Sequence, residues 1–241
     1  MDEPGWNGTL DEVGDSTGNG HAGTAVGGAT TDDTEPARAG DPGTCGYGTF
    51  DGSDDGIDDT DAGAYLNGLS AVTVSAWVYN TAGLGGNDRG IFFTGDPASG
   101  KDHRLGIRYD NSGFNSGGNN VIKAGIQTTD CNDGNDCVQV ETEPDVMTQN
   151  GWQHVAMTWV SGGDLRVYVN GQDVTGDGTG DLGQGTGGTI DAVNALNIGQ
   201  GAKGDRWQGR LDEFRVWDQQ LSAAQVQVVF QETHPCPVPG I

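Results

Sequence analysis

Lysine is nearly missing from the chain. It occurs only as Lys101, Lys123 and Lys203, and lysine plus arginine total 11 against 35 aspartate plus glutamate, a formal net charge of −24 with pI near 4.1. So acidic a surface repels phosphate backbones and anionic headgroups, which excludes nucleic acid as a partner and disfavours adsorption to an anionic membrane. Nor is there any apolar run near the roughly eighteen residues that a membrane-crossing helix needs, so insertion is not expected. The opening Met1-Asp2-Glu3-Pro4 lacks the basic start and apolar stretch of a secretory leader, and reads as the start of a piece excised from something longer. Cysteine is scarce too: the four residues form no Cys-x-x-Cys pair and have no histidine at ligand spacing, which argues against a zinc site. Also missing are the Lys-Ser/Thr of a phosphate loop and a His/Cys pair for nucleophilic chemistry.

What is abundant is glycine, 44 of 241 residues, without the triplet period of collagen. Hydrophobic residues make up only 33% and the mean hydropathy is −0.51, yet six Trp, five Tyr and six Phe argue against disorder. Aspartate greatly outnumbers glutamate. Short carboxylates suit both a salt-adapted surface and a calcium-rich extracellular module, where they ligate the ion from tight loops. Either reading points outside the cytosol, to a secreted or cell-surface protein. Cys131 and Cys137 flank a five-residue polar loop that a disulfide would clip, and Cys45 with Cys236 would then tie the early chain to its end; four reduced, buried thiols are the alternative.

Strand signals recur along the chain. Val72–Val78, Leu105–Tyr109, Ile122–Gln127, Val155–Trp159, Leu165–Val169, Leu196–Ile198 and Leu211–Trp217 are short and alternate apolar with polar residues. Asn170-Gly171, between two such runs, predicts a tight hairpin. One helix is expected after Ser222, with Gln225 as its capping-box partner, and Pro235 and Pro237 stop it. No composition break divides the chain, so residues 1–241 read as one all-β domain, a jelly-roll sandwich of two antiparallel sheets. Residues 1–60 read as irregular wrapping segments of that domain with one strand at Tyr47–Asp51, and Gly176–Gly188 as a long surface loop.

Several segments together resemble the laminin G-like jellyroll family of the concanavalin A-like fold. Asp15-Ser16-Thr17-Gly18-Asn19-Gly20-His21 is similar to its opening turn, Phe50–Asp55 to its "FDGxDD", Val74–Val78 to "ISAWV", Trp152–Ala156 to "WHHVA", Leu165–Gly171 to "LxLYVDG", and Gly209–Trp217 to "GxIDEVRIY". Asp2–Gly8 and Ala37–Gly48 resemble one branch, in mannose-sensitive haemagglutinin pilus-biogenesis proteins and large bacterial surface adhesins. The resemblance implies a sandwich, frequent calcium, and carbohydrate or protein binding.

From these readings the expected sites follow. A structural calcium is expected on Asp15, Asn19, the His21 carbonyl and Asp212, since the resemblance pairs the first turn with the late Asp; a solvated Asp212 and an Asx-turn closing on itself is the plainer alternative. Sorting strand residues by alternation leaves Arg104, Arg108, Lys123, Gln127, His154, Thr158, Arg166 and Tyr168 off the core side, with Arg89 and Lys101 nearby. A basic face in so acidic a chain suits an acidic glycan, since guanidinium groups pair with anions. Trp207 is expected to be buried. Glu141 and Glu143 have the spacing of paired glycanase carboxylates, but Pro144 and the missing apolar residue between them argue against catalysis. The sequence thus reads as a calcium-stabilised, non-catalytic, monomeric glycan-binding module of an adhesin. A spacer or a module docking protein receptors or neighbouring adhesin domains is the second reading.

Overall fold

The computed structural model describes residues 5–33, 46–84, 88–95, 105–111, 119–130, 138–176, 183–191, 193–201 and 204–232. All four cysteines and Arg104 lie outside these residues, and so do both disulfides expected from the sequence. The strands are β1 (Thr24–Val26), β2 (Thr30–Asp32), β3 (Tyr47–Asp51), β4 (Gly56–Asp59), β5 (Ala71–Asn80), β6 (Arg89–Phe93), β7 (Leu105–Asp110), β8 (Val121–Ile126), β9 (Val138–Glu141), β10 (Trp152–Val160), β11 (Arg166–Val169), β12 (Gln172–Asp173), β13 (Leu196–Ile198) and β14 (Gln208–Trp217). A short α1 (Gly63–Leu66) follows β4, and α2 (Ala223–Gln231) follows β14.

These strands form two antiparallel sheets of seven. The first runs β1-β4-β13-β6-β7-β8-β9 and the second β12-β11-β10-β5-β14-β3-β2. Between them lies one apolar core. The alternating residues of β10 and β11 (Val155, Met157, Trp159, Val167, Val169) face those of β7 and β8 (Leu105, Ile107, Ile122, Ala124, Ile126) across it, each under 9% exposed. Trp207, expected to be buried, is 0% exposed.

The local signals act as their chemistry requires. Asn170 and Gly171 both take positive φ, 51° and 76°, the geometry of a two-residue hairpin turn, and they join β11 to β12. Ser222 caps α2: its side chain accepts from the Gln225 backbone, and the Gln225 side chain accepts from the Ser222 backbone. The opening sixty residues depart from the expectation, because β1, β2 and β4 stand where irregular wrapping was read. β1 and β2 are three residues each, too short to show a period, and take their order from pairing with β4 and β3.

β14 carries a bulge. Asp212 pairs with Trp77 and Arg215 with Ser75, so three steps oppose two, and Glu213 takes φ 48°. The extra residue turns Phe214 inward against Phe92, with ring centroids 5.4 Å apart, and returns Arg215 to the outer side.

α2 lies over that outer side of the second sheet. Val226 of α2 and Leu221 just ahead of it pack onto Ala156 and Tyr168, with Trp217 and Val229 at the margin. Thr73 ties the approach to α2: its hydroxyl donates to the Gln219 carbonyl and accepts from the Leu221 N–H. Phe230 stacks on Trp77, and His154 sits against both rings. His154 is 1% exposed, and neither of its ring nitrogens has a hydrogen-bond partner. Arg215, Glu213, Glu232 and Ser75 line the same crevice, which has no room for a water molecule.

Desolvation first, and the Arg215 charge second, lower the His154 pKa from 6.5 to about 4. A lowered folded-state pKa means that the neutral ring stabilises the fold above the unfolded value, and that this contribution is lost as pH falls through 6.5 toward 4. The expected loss over that window is about 3 kcal/mol. His154→Leu removes both orphaned nitrogens, so its melting temperature is expected to exceed the parent's at pH 4.5 and to depend less on pH. Equal pH profiles for the two proteins would contradict this assignment.

Candidate functional site

The residues expected to form one basic face divide between two. Alternation identifies which side of a strand faces the core, and it did so correctly here. It says nothing of sheet membership. β7 and β8 belong to the first sheet and β10 and β11 to the second, so their outward residues point in opposite directions. The single basic groove is therefore corrected to two separate surfaces.

On the second sheet, His154 and Tyr168 are buried beneath α2, at 1% and 3% exposure, and are closed to a glycan. Arg166 is exposed, but Asp173 and Asp164 take its guanidinium at 3.0 and 3.3 Å. The absence of a long apolar stripe in residues 223–231 hid the role of α2 as a cover from the sequence reading.

The first sheet holds a denser set. Arg108 and Lys123 stand opposite each other on β7 and β8, and Lys123 stands opposite Glu141 on β9. Lys123 Nζ lies 2.6 Å from Asp110 Oδ2, Arg108 Nη2 lies 3.6 Å from the same oxygen, and Arg108 Nε lies 4.0 Å from Asp88 Oδ2. Burial, a hydrogen bond shared with Asp110 and the Asp110 charge raise the Asp88 pKa, against the pull of Arg108. Gln139 and Asn197 are buried on this sheet as well. Arg89, at the head of β6, is buried along the Tyr109 ring, 5.5 Å from its centroid, and donates to the Gly83 carbonyl. Gln127 is half-buried just past β8, where its carbonyl accepts from Asp191. So Arg108 and Lys123 come together with Asp88, Asp110 and Glu141, whereas Arg89, paired with the core residue Tyr109, lies on the core side of the sheet and its expected place on the basic face is corrected. Asp88 and Asp110 escape the sequence reading, and Glu141 enters it only as a paired catalytic carboxylate, because only the pairing of β6 to β9 brings these acids beside the cations.

The expected calcium set does not assemble into one coordination shell. Asp15 occupies the tip of a hairpin closed by the Val13–Gly23 bridge ahead of β1. Its Oδ1 accepts from the Thr17 hydroxyl and N–H, at 2.6 and 2.9 Å, and its Oδ2 from the His21 N–H at 3.2 Å. The Thr17 hydroxyl is the main reason its pKa falls to about 2. The His21 ring lies against Tyr65, centroids 3.9 Å apart and tilted by 33°, the Asn19 N–H donates to the Thr17 hydroxyl, and the Tyr65 hydroxyl donates to Asp59. Asp212 is instead 1% exposed on the second sheet, on the side away from the core, where its Oδ1 accepts from the Glu213 N–H. The turn and Asp212 thus belong to opposite sheets.

A different trio has the spacing that the ion demands. Carboxylate oxygens of Asp51, Asp54 and Asp55, in the β3–β4 connection, lie within 4.8 Å of one another. Asp55 Oδ2 accepts from the Asp51 N–H and Asp51 Oδ1 from the Ser53 N–H, both at 2.7 Å. Desolvation, with the charges of Asp51 and Asp54, raises the Asp55 pKa, a repulsion that a cation would relieve. Gly27, at φ 74°, packs against this connection so tightly that a Cβ would lie 2.1 Å from the Asp54 carbonyl oxygen.

Comparison with known proteins places this geometry. Residues 51–227 match the family model described as the concanavalin A-like lectin/glucanases superfamily, of laminin G type. No curated protein matches the chain. Among solved structures, domain 4 of AbnA, a GH43 extracellular arabinanase from Geobacillus stearothermophilus, in complex with arabinotriose, is 19% identical over 95% of this chain and 100% of its own, with TM-score 0.53. The botulinum neurotoxin serotype G binding domain is 12% identical, with TM-score 0.60 over 88% of this chain and 47% of that one. The binding domain of botulinum neurotoxin DC in complex with SialylT is 11% identical, with TM-score 0.56 over 90% of this chain and 47% of that one. The chain spans about half the length of these neurotoxin domains, and likenesses so distant bear on the fold alone. The two seven-stranded sheets, together with a family match running from the end of β3 into α2, establish that this chain belongs to the concanavalin A-like lectin/glucanase superfamily.

Proposed function

We propose that this chain is a non-catalytic carbohydrate-binding module of a secreted or surface-attached adhesin, and that it binds glycan on the outward face of β6–β9. The observation that carries the reading is the charged array there: Arg108, with its side chain 13% exposed, is the group a ligand would touch, and Asp110 and Lys123, 5% and 6% exposed on the same side of the sheet away from the core, hold it in place. Apolar residues would hold such a surface at lower cost in desolvation, and raised carboxylate pKa values cluster at functional sites. Closely spaced donors and acceptors match sugar hydroxyls, each of which both donates and accepts. The carbohydrate ligands named for AbnA domain 4 and the neurotoxin domain DC agree with this ligand class. Because Arg108 and Lys123 are balanced by Asp88, Asp110 and Glu141, the favoured ligand is a neutral glycan rather than an acidic one. Among the described residues the exposed large hydrophobics are the isolated Leu10 and Val228, which gives the docking-module reading no apolar patch to rest on.

Lys123→Met is expected to cost about 3 kcal/mol, since it leaves Asp110 buried without its closest cation. Lys123→Met with Asp110→Leu removes the charge pair whole and is expected to recover most of that loss. On a glycan array with neutral oligosaccharides, arabinan fragments, gangliosides and uronates, the parent should select neutral glycans and the stable double variant should lose them. Silence from the folded parent, or unchanged hits from the double variant, would remove the proposal.

Calcium belongs to the same proposal as a structural ion, with the Asp51, Asp54 and Asp55 trio as its favoured seat. Saturating calcium is expected to raise the melting temperature by at least about 5 °C over chelator, and Asp54→Asn to cancel most of that rise. Identical midpoints with calcium and with chelator would remove the ion from the account.

A further inference from the structure

The outward side of the second sheet is divided into two ends. α2, Leu221 and Val226 cover Ala156, Tyr168 and their neighbours at one end. At the other end no described helix covers the strands. There the register sets Thr49, Arg210, Tyr79 and Trp152 side by side across β3, β14, β5 and β10. Tyr47 reaches in from β3. The Arg210 guanidinium lies over two rings at once, 4.6 Å from the Tyr47 centroid and 4.9 Å from that of Tyr79. Trp152 meets both tyrosines edge-on, 5.9 Å from Tyr47 and 5.5 Å from Tyr79, at interplanar angles of 68° and 67°. Tyr47 is fully buried in this cluster, while Tyr79, Trp152 and Arg210 remain partly exposed to solvent.

We propose that Trp152, with Tyr79 and Arg210, forms a second sugar-binding platform, one that takes an uncharged pyranose with its C–H face on the indole. It shares its ligand class with the array on β6–β9 and lies on the opposite sheet, so either site can fail without the other. Three features select this occupant. The rings are locked edge-to-face on central strands, so little side-chain freedom is lost when a ligand arrives. The Arg210 charge already faces two π systems, which leaves an anion less to gain here than at a bare arginine. Three partly exposed side chains, at no more than about 150–250 Å² each, fall well short of the roughly 800 Å² per side that a stable protein partner requires, whereas one sugar ring is of their size. Gln208, exposed at the start of β14, and Gln149, whose side chain donates to the Thr81 carbonyl at 3.1 Å, place amides at the rim for hydroxyl groups.

The test is a titration of the full chain with methyl glycosides of glucose, galactose, mannose and N-acetylglucosamine, read by tryptophan fluorescence and by saturation-transfer NMR. Trp152→Ala is expected to weaken the best ligand at least tenfold, and Trp152→Phe, which keeps a ring of similar position, to weaken it less than threefold. The Lys123→Met/Asp110→Leu double variant should leave this binding unchanged. Loss of binding in that double variant with unchanged binding in Trp152→Ala would overturn the platform and leave the β6–β9 site standing. The opposite pattern would support the platform, and the β6–β9 site is then judged separately by the oligosaccharide array, with Trp152→Ala as the background for the double variant. Failure of all four glycosides to bind the folded parent would overturn the platform outright.

Discussion

Both ends of the second sheet's outward face are set by the pairing of β5. It runs in register with β10 from Trp152↔Tyr79 to Val160↔Ala71, and on its other side with β14 from Gly209↔Asn80 to Trp217↔Thr73. Once Val72, Val74, Ala76 and Val78 are committed to the core, the intervening residues must face outward together with their cross-strand partners. That rule stacks Trp77 beside His154 and Asp212, and Tyr79 beside Trp152 and Arg210. The bulge at Asp212/Arg215 is what allows β14 to satisfy the rule through its whole length, by absorbing Glu213 so that Phe214 can still enter the core. A one-residue slip of β5 would exchange the valines for Trp77 and Tyr79, destroying the core and both outward sets together.

The large acidic excess forces a second arrangement. With so few cations, most described ones are held by partners within the fold. Lys123 and Arg108 lie against Asp110, Arg166 against Asp164 and Asp173, and Arg215 against Glu213 and Glu232. Arg210 and Arg89 lie on tyrosine rings, and Arg206 donates to the Asp55 carbonyl. Carboxylates far outnumber cations in the sequence, so the molecule as a whole repels anions while its described cations act locally, as positioned hydrogen-bond donors. A surface that attracted acidic glycans would need positive charge in excess of its neighbours, and among the described residues neither outward face shows it.

The sequence disclosed some of this and concealed the rest for identifiable reasons. Strands with a clean period of two, such as Val155–Trp159 and Leu165–Val169, could be read directly, as could Asn170-Gly171 and the Ser222 cap. β6 could not, because Arg89–Phe93 is buried throughout and its bulge at Ile91 interrupts the alternation. β9 is only four residues, and reads as a stretch of valine and polar residues until β8 pairs with it. The basic face failed for a different reason: period two is a property of one strand, and which strands share a sheet is a property of long-range pairing. The same limit hid the Arg210, Tyr79 and Trp152 row, whose members lie far apart in the chain and become neighbours only through β5.

The two ends of the second sheet's outward face show how the fold treats exposed aromatic rows. The row at Trp77 is closed by a capped helix, at the cost of an unsatisfied His154 and a set of ion pairs about Arg215 that must be desolvated with it. No described helix covers the row at Tyr79, which is partly exposed and is ordered by rings packed edge-to-face around one guanidinium. If the open row were only structural, a helix like α2 or polar replacements for Tyr79 and Trp152 would serve stability and solubility better, since partly exposed rings add apolar surface without burying it. Sugars, with one apolar and one hydroxylated side to each ring, are complementary to such an open row bordered by amides. The charged array on the other sheet suits the hydroxylated side of a sugar, and the aromatic row suits its C–H side. A sandwich that presents both has two chemically different ways to hold the same class of ligand.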